Sequence, residues 1–192
     1  VDIASGVSGL TGVAAGTPFQ AARTVTFAAL KPGLLLADGA ACAGTVSVAD
    51  IGLDPSSAAA HLVEAHDVTA RVPERPPASH KWRAAVWVVA GSPGMTGAAH
   101  LATRAAQRAG AGYVRLSTPG SDADPWAPTE CVVTPLGAEG WADEVLAGAG
   151  RFAALAVGPG LGQAPSVAAE VRRLVAGTSI PTDIDGDGLR AL

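Results

Sequence analysis

The 192-residue chain is 48% hydrophobic and 16% charged, with a formal net charge of −4 and a mean hydropathy of +0.31, which excludes an intrinsically disordered chain and gives no electrostatic reason to expect a nucleic acid or an anionic membrane surface as partner. Its two cysteines, Cys42 and Cys131, are too few and too far apart for a CxxC metal site or a disulfide framework, and read as reduced thiols. No apolar run reaches the ~20 residues of a membrane span, and with no targeting segment the expected compartment is the cytoplasm.

In chain order, residues 1–3 read as the end of a strand, and residues 5–18, rich in Gly, Ser, Thr and Ala, as a loop. The β-branched run RTVTFAA at 23–29 predicts a strand, broken by Lys31-Pro32-Gly33. GTVSVADI at 44–51 alternates and predicts another; residues 54–66 read as a short helical turn with a connector. RVPERPPASHKW, with three prolines and several charges, marks a linker, placing one unit at 1–70, the linker at 71–79 and a second unit at 80–192.

The second unit alternates strand and helix. AAVWVVA at 84–90 predicts a buried strand, 98–109 a helix closed by Gly110 and Gly112, 113–117 a second strand and 153–157 a third. Pro165 suits a helix start, and Val167, Val171, Leu174 and Val175 share one face of the helix that follows. A further strand is expected at 180–184, with Asp183 in it as a charge that is costly if buried. This order predicts a mostly parallel α/β sheet, whose ligand sites lie at the carboxyl ends of the strands.

Two loops follow such strands: GSPGMTG at 91–97 and GPGLG at 158–162. Glycines there let main-chain N–H groups approach a ligand, and a helix N-terminus adds positive partial charge. Neither loop has the dinucleotide or Walker A spacing, and each could be a plain turn; as a pair they should lie side by side at one sheet edge. The Asp185 and Asp187 pair in DIDGDGL can hold a polar ligand or make turns. Asp2 and Ser5 form an oxygen-rich turn suited to a hard cation or a ribose hydroxyl, or a simple Asx turn. His61, His66 and His100 show no ligand spacing, and the four tryptophans, at 82, 87, 126 and 141, read as packing residues.

Taken together, DIASGV, TVTFAALKPGLLL, GTVSVADIGL, SHKW, VVAGSPGMTGAAHLATRAAQRAGAGYVRL, AVGPGLG and DGDGLRAL resemble the bifunctional NAD(P)H-hydrate repair enzymes, which fuse an NAD(P)HX epimerase (an isomerase) to an ADP- or ATP-dependent NAD(P)HX dehydratase (a lyase). The resemblance implies the C-terminal piece of a Rossmann-like epimerase domain, then the N-terminal half of a ribokinase-like α/β domain, and so part of a longer enzyme that would be inactive alone. The family's catalytic Asp would lie outside this chain. By motif, Asp2, Ala98 and Gly160 would bind substrate, Ser5 would ligate potassium, and Lys31, Lys81 and Asp185 would line the substrate or nucleotide sites. ADP or ATP with magnesium would serve the dehydratase part, potassium the epimerase part, and a homo-oligomer is allowed.

The sequence departs from the family pattern at Ala4, Trp82, Asp183 and Arg190. Two other readings stand beside this one: a ribokinase-like small-molecule kinase, and a non-catalytic nucleotide-binding protein.

Overall fold

The computed structural model describes residues 1–72 and 74–192; Pro73, within the expected linker, lies outside the described residues. The chain divides into two compact units, Val1–Pro73 and Glu74–Leu192.

In the first unit, strands β1 (Arg23–Phe27) and β2 (Thr45–Ala49) pair in parallel, Arg23 opposite Thr45 and Phe27 opposite Ala49. Helix α1 (Ala37–Cys42) connects them and packs on a 3-10 turn at Pro32–Leu34. Parallel strands need such a crossover because no tight hairpin can join them. Thr24 and Thr26 point from β1 into the interior at 2% and 0% exposure. Buried hydroxyls require partners: Thr24 donates to the Ala43 carbonyl at 2.7 Å, and Thr26 to Asp2. Residues 1–3 are not a strand; Asp2 instead donates its N–H to Val25 O at 2.7 Å and lies beside β1 with φ of +66°. The helical turn expected within 54–66 is displaced: helix α2 spans Ala65–Arg71, and Glu64 and Asp67 close its start as a reciprocal capping box.

The second unit is a five-stranded, all-parallel sheet in the order β5-β4-β3-β6-β7. The strands are β3 (Ala85–Val89), β4 (Tyr113–Ser117), β5 (Val132–Val133), β6 (Ala154–Val157) and β7 (Thr182–Ile184). Side chains of β3 alternate between the faces, as strand geometry requires. Val88 packs with Val114, Leu116 and Ala99 of helix α3 (Gly97–Arg108). Trp87 and Val89 pack on the other face against helices α4 (Trp141–Ala149) and α5 (Pro165–Gly177) through Trp141, Val145, Val171 and Leu174. Helices therefore cover both faces, the arrangement that a parallel sheet needs to bury both sides. A short helix α6 (Asp187–Arg190) follows β7.

At the amino ends of the strands Trp82, Tyr113, Phe152 and Trp87 stack with centroid separations of 4.5–6.1 Å, and the Arg115 guanidinium lies 4.6 Å from the Trp87 ring. The Trp87 indole N–H donates to Ser117 Oγ at 3.0 Å, and Ser117 donates onward to the Thr134 carbonyl at 2.7 Å, which joins β3, β4 and the chain just past β5.

Two sequence expectations are corrected here. Asp183 is not buried: β7 lies at the edge of the described sheet, and Asp183 faces solvent. Trp126 does not pack in a core; it is 81% exposed. Among the described residues no helix is long and apolar enough to cross a membrane.

Candidate functional site

Because β3 and β6 are hydrogen-bonded neighbours, the loops that follow them emerge side by side. Gly91 donates its N–H to Pro159 O at 2.8 Å, and Gly158 donates to Val89 O at 3.1 Å, so residues 91–97 and 158–162 form one continuous carboxyl-end edge. The adjacency expected from the sequence is present.

Glycines of the second loop stand at positive φ. Gly158 has φ of +126°, and a Cβ there would overlap the Asp185 carbonyl oxygen. Gly160 has φ of +72°, and a Cβ there would sit 3.4 Å from the Ala98 methyl and 3.6 Å from Gly91 Cα. Ala98 and Gly160 thus meet across the two loops, and both reach solvent.

The donors at this edge are main-chain groups. The first N–H groups of an α-helix have no partner within the helix, and Thr96, the residue capping α3, makes no side-chain hydrogen bond to them. The Gly160 N–H likewise has no partner among the described residues. Together they suit a phosphate or a developing oxyanion. The Gly162 N–H is already taken: Asp187 Oδ2 accepts it at 2.9 Å, while Oδ1 accepts from Gln163 Nε2 at 3.3 Å. Asp187 is therefore a clasp holding the second loop to α6. Asp185 sits beside it at the end of β7, exposed, its N–H donated to Val157 O at 3.1 Å.

Lys81 is not brought to this edge. It precedes β3, at the amino ends of the strands, with its ammonium 5.7 Å from the Tyr113 ring.

The first unit gathers a separate polar group. Asp2 Oδ1 accepts from Lys31 Nζ at 2.6 Å, Thr26 Oγ1 at 3.0 Å and the Phe27 N–H at 3.3 Å. Lys31 also donates to the Phe27 carbonyl at 2.8 Å. The Lys31 ammonium, then Thr26 and Phe27, hold the Asp2 carboxyl below the usual carboxylate range. The group is an ionised carboxylate with one oxygen saturated by protein and its other oxygen left to accept from a ligand.

Ser5 lies outside this cluster; it is exposed, and its carbonyl accepts the Phe19 N–H at 3.0 Å. One hydroxyl does not make the many-oxygen shell a hard cation requires, and the described residues contain no group of three His, Cys, Asp or Glu able to hold a metal. Ser5 by itself does not complete a potassium site.

A pair that the sequence reading passed over is His100 Nε2 with Asp124 Oδ2, at 2.6 Å and with side chains 16% and 4% exposed. The residues are 24 apart, on α3 and in the crossover after β4, and no spacing rule links them.

Residues 86–192 match the family described as NAD(P)H-hydrate dehydratase. The chain belongs to the NAD(P)H-hydrate dehydratase family. Among its curated relatives, a bifunctional NAD(P)H-hydrate repair enzyme from Salinibacter ruber is 36% identical, over 100% of this chain and 39% of that protein. The chain spans about 39% of the length of the curated relatives it matches.

A solved ADP/ATP-dependent NAD(P)H-hydrate dehydratase from Bacillus subtilis, co-crystallised with ATP/Mg2+, is 28% identical, with a TM-score of 0.52 over 65% of this chain and 45% of that one. A ribokinase-like superfamily protein from Enterococcus faecalis is 21% identical, with a TM-score of 0.51 over 62% of this chain and 43% of that one. The second unit accordingly has the parallel α/β architecture of the ribokinase-like fold. Nothing in these relationships supports the small-molecule kinase or the non-catalytic reading.

Proposed function

We propose that the chain contributes to the repair of hydrated NAD(P)H, with the second unit supplying the substrate edge of a nucleotide-dependent dehydratase and the first unit the closing part of an epimerase domain. Residues 91–97 and 158–162 hold the hydrated dinucleotide by main-chain N–H groups, with Ala98 and Gly160 against it. Asp2, kept ionised by Lys31, accepts a hydrogen bond from the same class of substrate in the epimerisation. ADP or ATP, bound with magnesium, would supply a phosphoryl group to the ring hydroxyl and leave as AMP or ADP; the phosphate would then depart with loss of the neighbouring ring proton, restoring NAD(P)H. Phosphoryl transfer needs positioning and charge stabilisation more than a protein nucleophile, and an edge built from fixed backbone donors suits that demand. The protein acts in the cytoplasm, where the coenzyme is used.

The observation that carries this reading is the Gly91–Pro159 hydrogen bond at 2.8 Å, which joins the two glycine loops into one edge. The test is binding of NADPH hydrate to the chain by saturation-transfer NMR, comparing the unsubstituted protein with Gly160→Val. The expected result is transfer to the ligand that falls on the order of tenfold in the variant, since a branched side chain would occupy the space between Gly160 and Ala98. Equal transfer in both would remove the loops from the site.

A further inference from the structure

The crossover after β4 does not lie flat on α3. A cleft of about 720 Å³ opens between the C-terminal half of α3 and residues 125–130, in the size range of small-molecule sites. Arg104 and Arg108 on its helix wall are one turn apart and share a face. Among the described residues neither is in an ion pair. Gln107, between them in sequence, lines the same cleft and has a buried side-chain nitrogen without a partner. On the other wall stand Glu130 and Trp126, whose indole is 81% exposed. A large aromatic held in water beside two free guanidiniums is unusual for a surface with no ligand.

The wall that carries Trp126 is anchored. The Asp124 carboxylate is 4% exposed and binds in two directions: Oδ2 to His100 Nε2 at 2.6 Å, and Oδ1 to the Trp126 N–H at 3.1 Å. The Ala127 N–H donates to the Asp124 carbonyl at 3.1 Å. His100, one turn before Arg104, therefore fixes the aromatic wall relative to the arginine wall.

We propose that this cleft binds a phosphate monoester carrying a planar ring, with Arg104 and Arg108 on the phosphate and Trp126 against the ring. Paired guanidiniums match phosphate geometry, and an exposed indole offers a face on which a flat ring stacks. Gln107 and Glu130 provide one donor and one acceptor for groups between them. The cleft is lined by the C-terminal half of α3, away from the helix start where the glycine loops lie, so this inference goes beyond the repair reading and does not depend on it.

The test uses AMP as probe, with Trp126 fluorescence and titration calorimetry as readouts. Trp126 is far more exposed than Trp87 at 2% or Trp141 at 0%, and the emission that Trp126→Phe removes, as distinct from that of half-buried Trp82, reports the cleft. AMP is expected to quench it saturably, and to bind more tightly than adenosine or inorganic phosphate. Substituting Arg104→Gln and Arg108→Gln together is expected to weaken AMP on the order of tenfold or more, with the circular dichroism spectrum unchanged because both side chains are exposed and unpaired. His100→Ala is expected to weaken AMP by freeing the Trp126 wall, and Trp126→Phe to abolish the quench while calorimetry still detects weaker binding. Gly160→Ala is expected to bind AMP as the unsubstituted chain does. The proposal is overturned by absence of AMP binding at millimolar concentration, by unchanged affinity in the double arginine variant, by inorganic phosphate binding as tightly as AMP, or by loss of AMP binding in Gly160→Ala.

Discussion

Asp187 receives the Gly162 N–H at 2.9 Å, and with its second contact to Gln163 this joins helix α6 to the end of the second glycine loop. Asp187→Ala is expected to cost about 1–2 kcal/mol of stability, the worth of a charge-assisted hydrogen bond in a partly exposed place. Asp187→Asn, which keeps one acceptor, should recover part of it. Urea unfolding measures the stability, and amide hydrogen exchange at Gly162 should quicken most in the alanine variant.

Two glycines of the same loop should behave differently on substitution. At Gly158 a Cβ would overlap the Asp185 carbonyl, whereas at Gly160 it would meet only ordinary contacts at 3.4 Å and beyond. Gly158→Ala is expected to lose more than about 3 kcal/mol, in the range of severe core clashes. Gly160→Ala should lose about 1 kcal/mol, the cost of holding alanine at positive φ. Equal losses in thermal unfolding would show that backbone angle, not contact, sets both.

The ionised state of Asp2 is tied to Lys31. A carboxyl whose pKa is depressed in the folded protein adds stability above its unfolded pKa, and that stability is lost as pH falls through the folded one. The first unit should therefore loosen on acidification below the normal carboxylate range. Lys31→Met should raise the Asp2 pKa and move that loosening to higher pH. A carbon-13 titration of the Asp2 carboxyl would detect the change, and an unmoved midpoint would mean that Thr26 and Phe27 suffice.

Leu174 is fully buried between α5 and the sheet. Leu174→Ala is expected to cost about 2–5 kcal/mol, and Leu174→Met less than about 1.5 kcal/mol because volume is conserved. Chemical denaturation reads both.

The elements that showed in the sequence were those where one periodicity dominated. AAVWVV and YVRLS are buried strands with no competing signal, and Val171 and Leu174 fell on one helix face. The elements that did not show are weak by themselves. β5 is two residues long, α1 is six, and α4 begins after Gly140 in a left-handed turn without a side-chain cap. Their existence depends on tertiary burial, as in Trp141 at 0% exposure, which local propensity does not encode. At the candidate site the glycine loops were legible because close backbone approach leaves a glycine signature. The clasp by Asp187 and the His100–Asp124 pair were not, because groups 24 or 25 residues apart meet only through topology.

The aromatic stack of Trp82, Tyr113, Phe152 and Trp87 occupies the end of the sheet opposite the glycine loops. The two ends of the second unit are thus held by different means, interlocked rings at one and backbone hydrogen bonds between glycine loops at the other. Substitutions confined to one end are therefore expected to add to, rather than interact with, substitutions confined to the other.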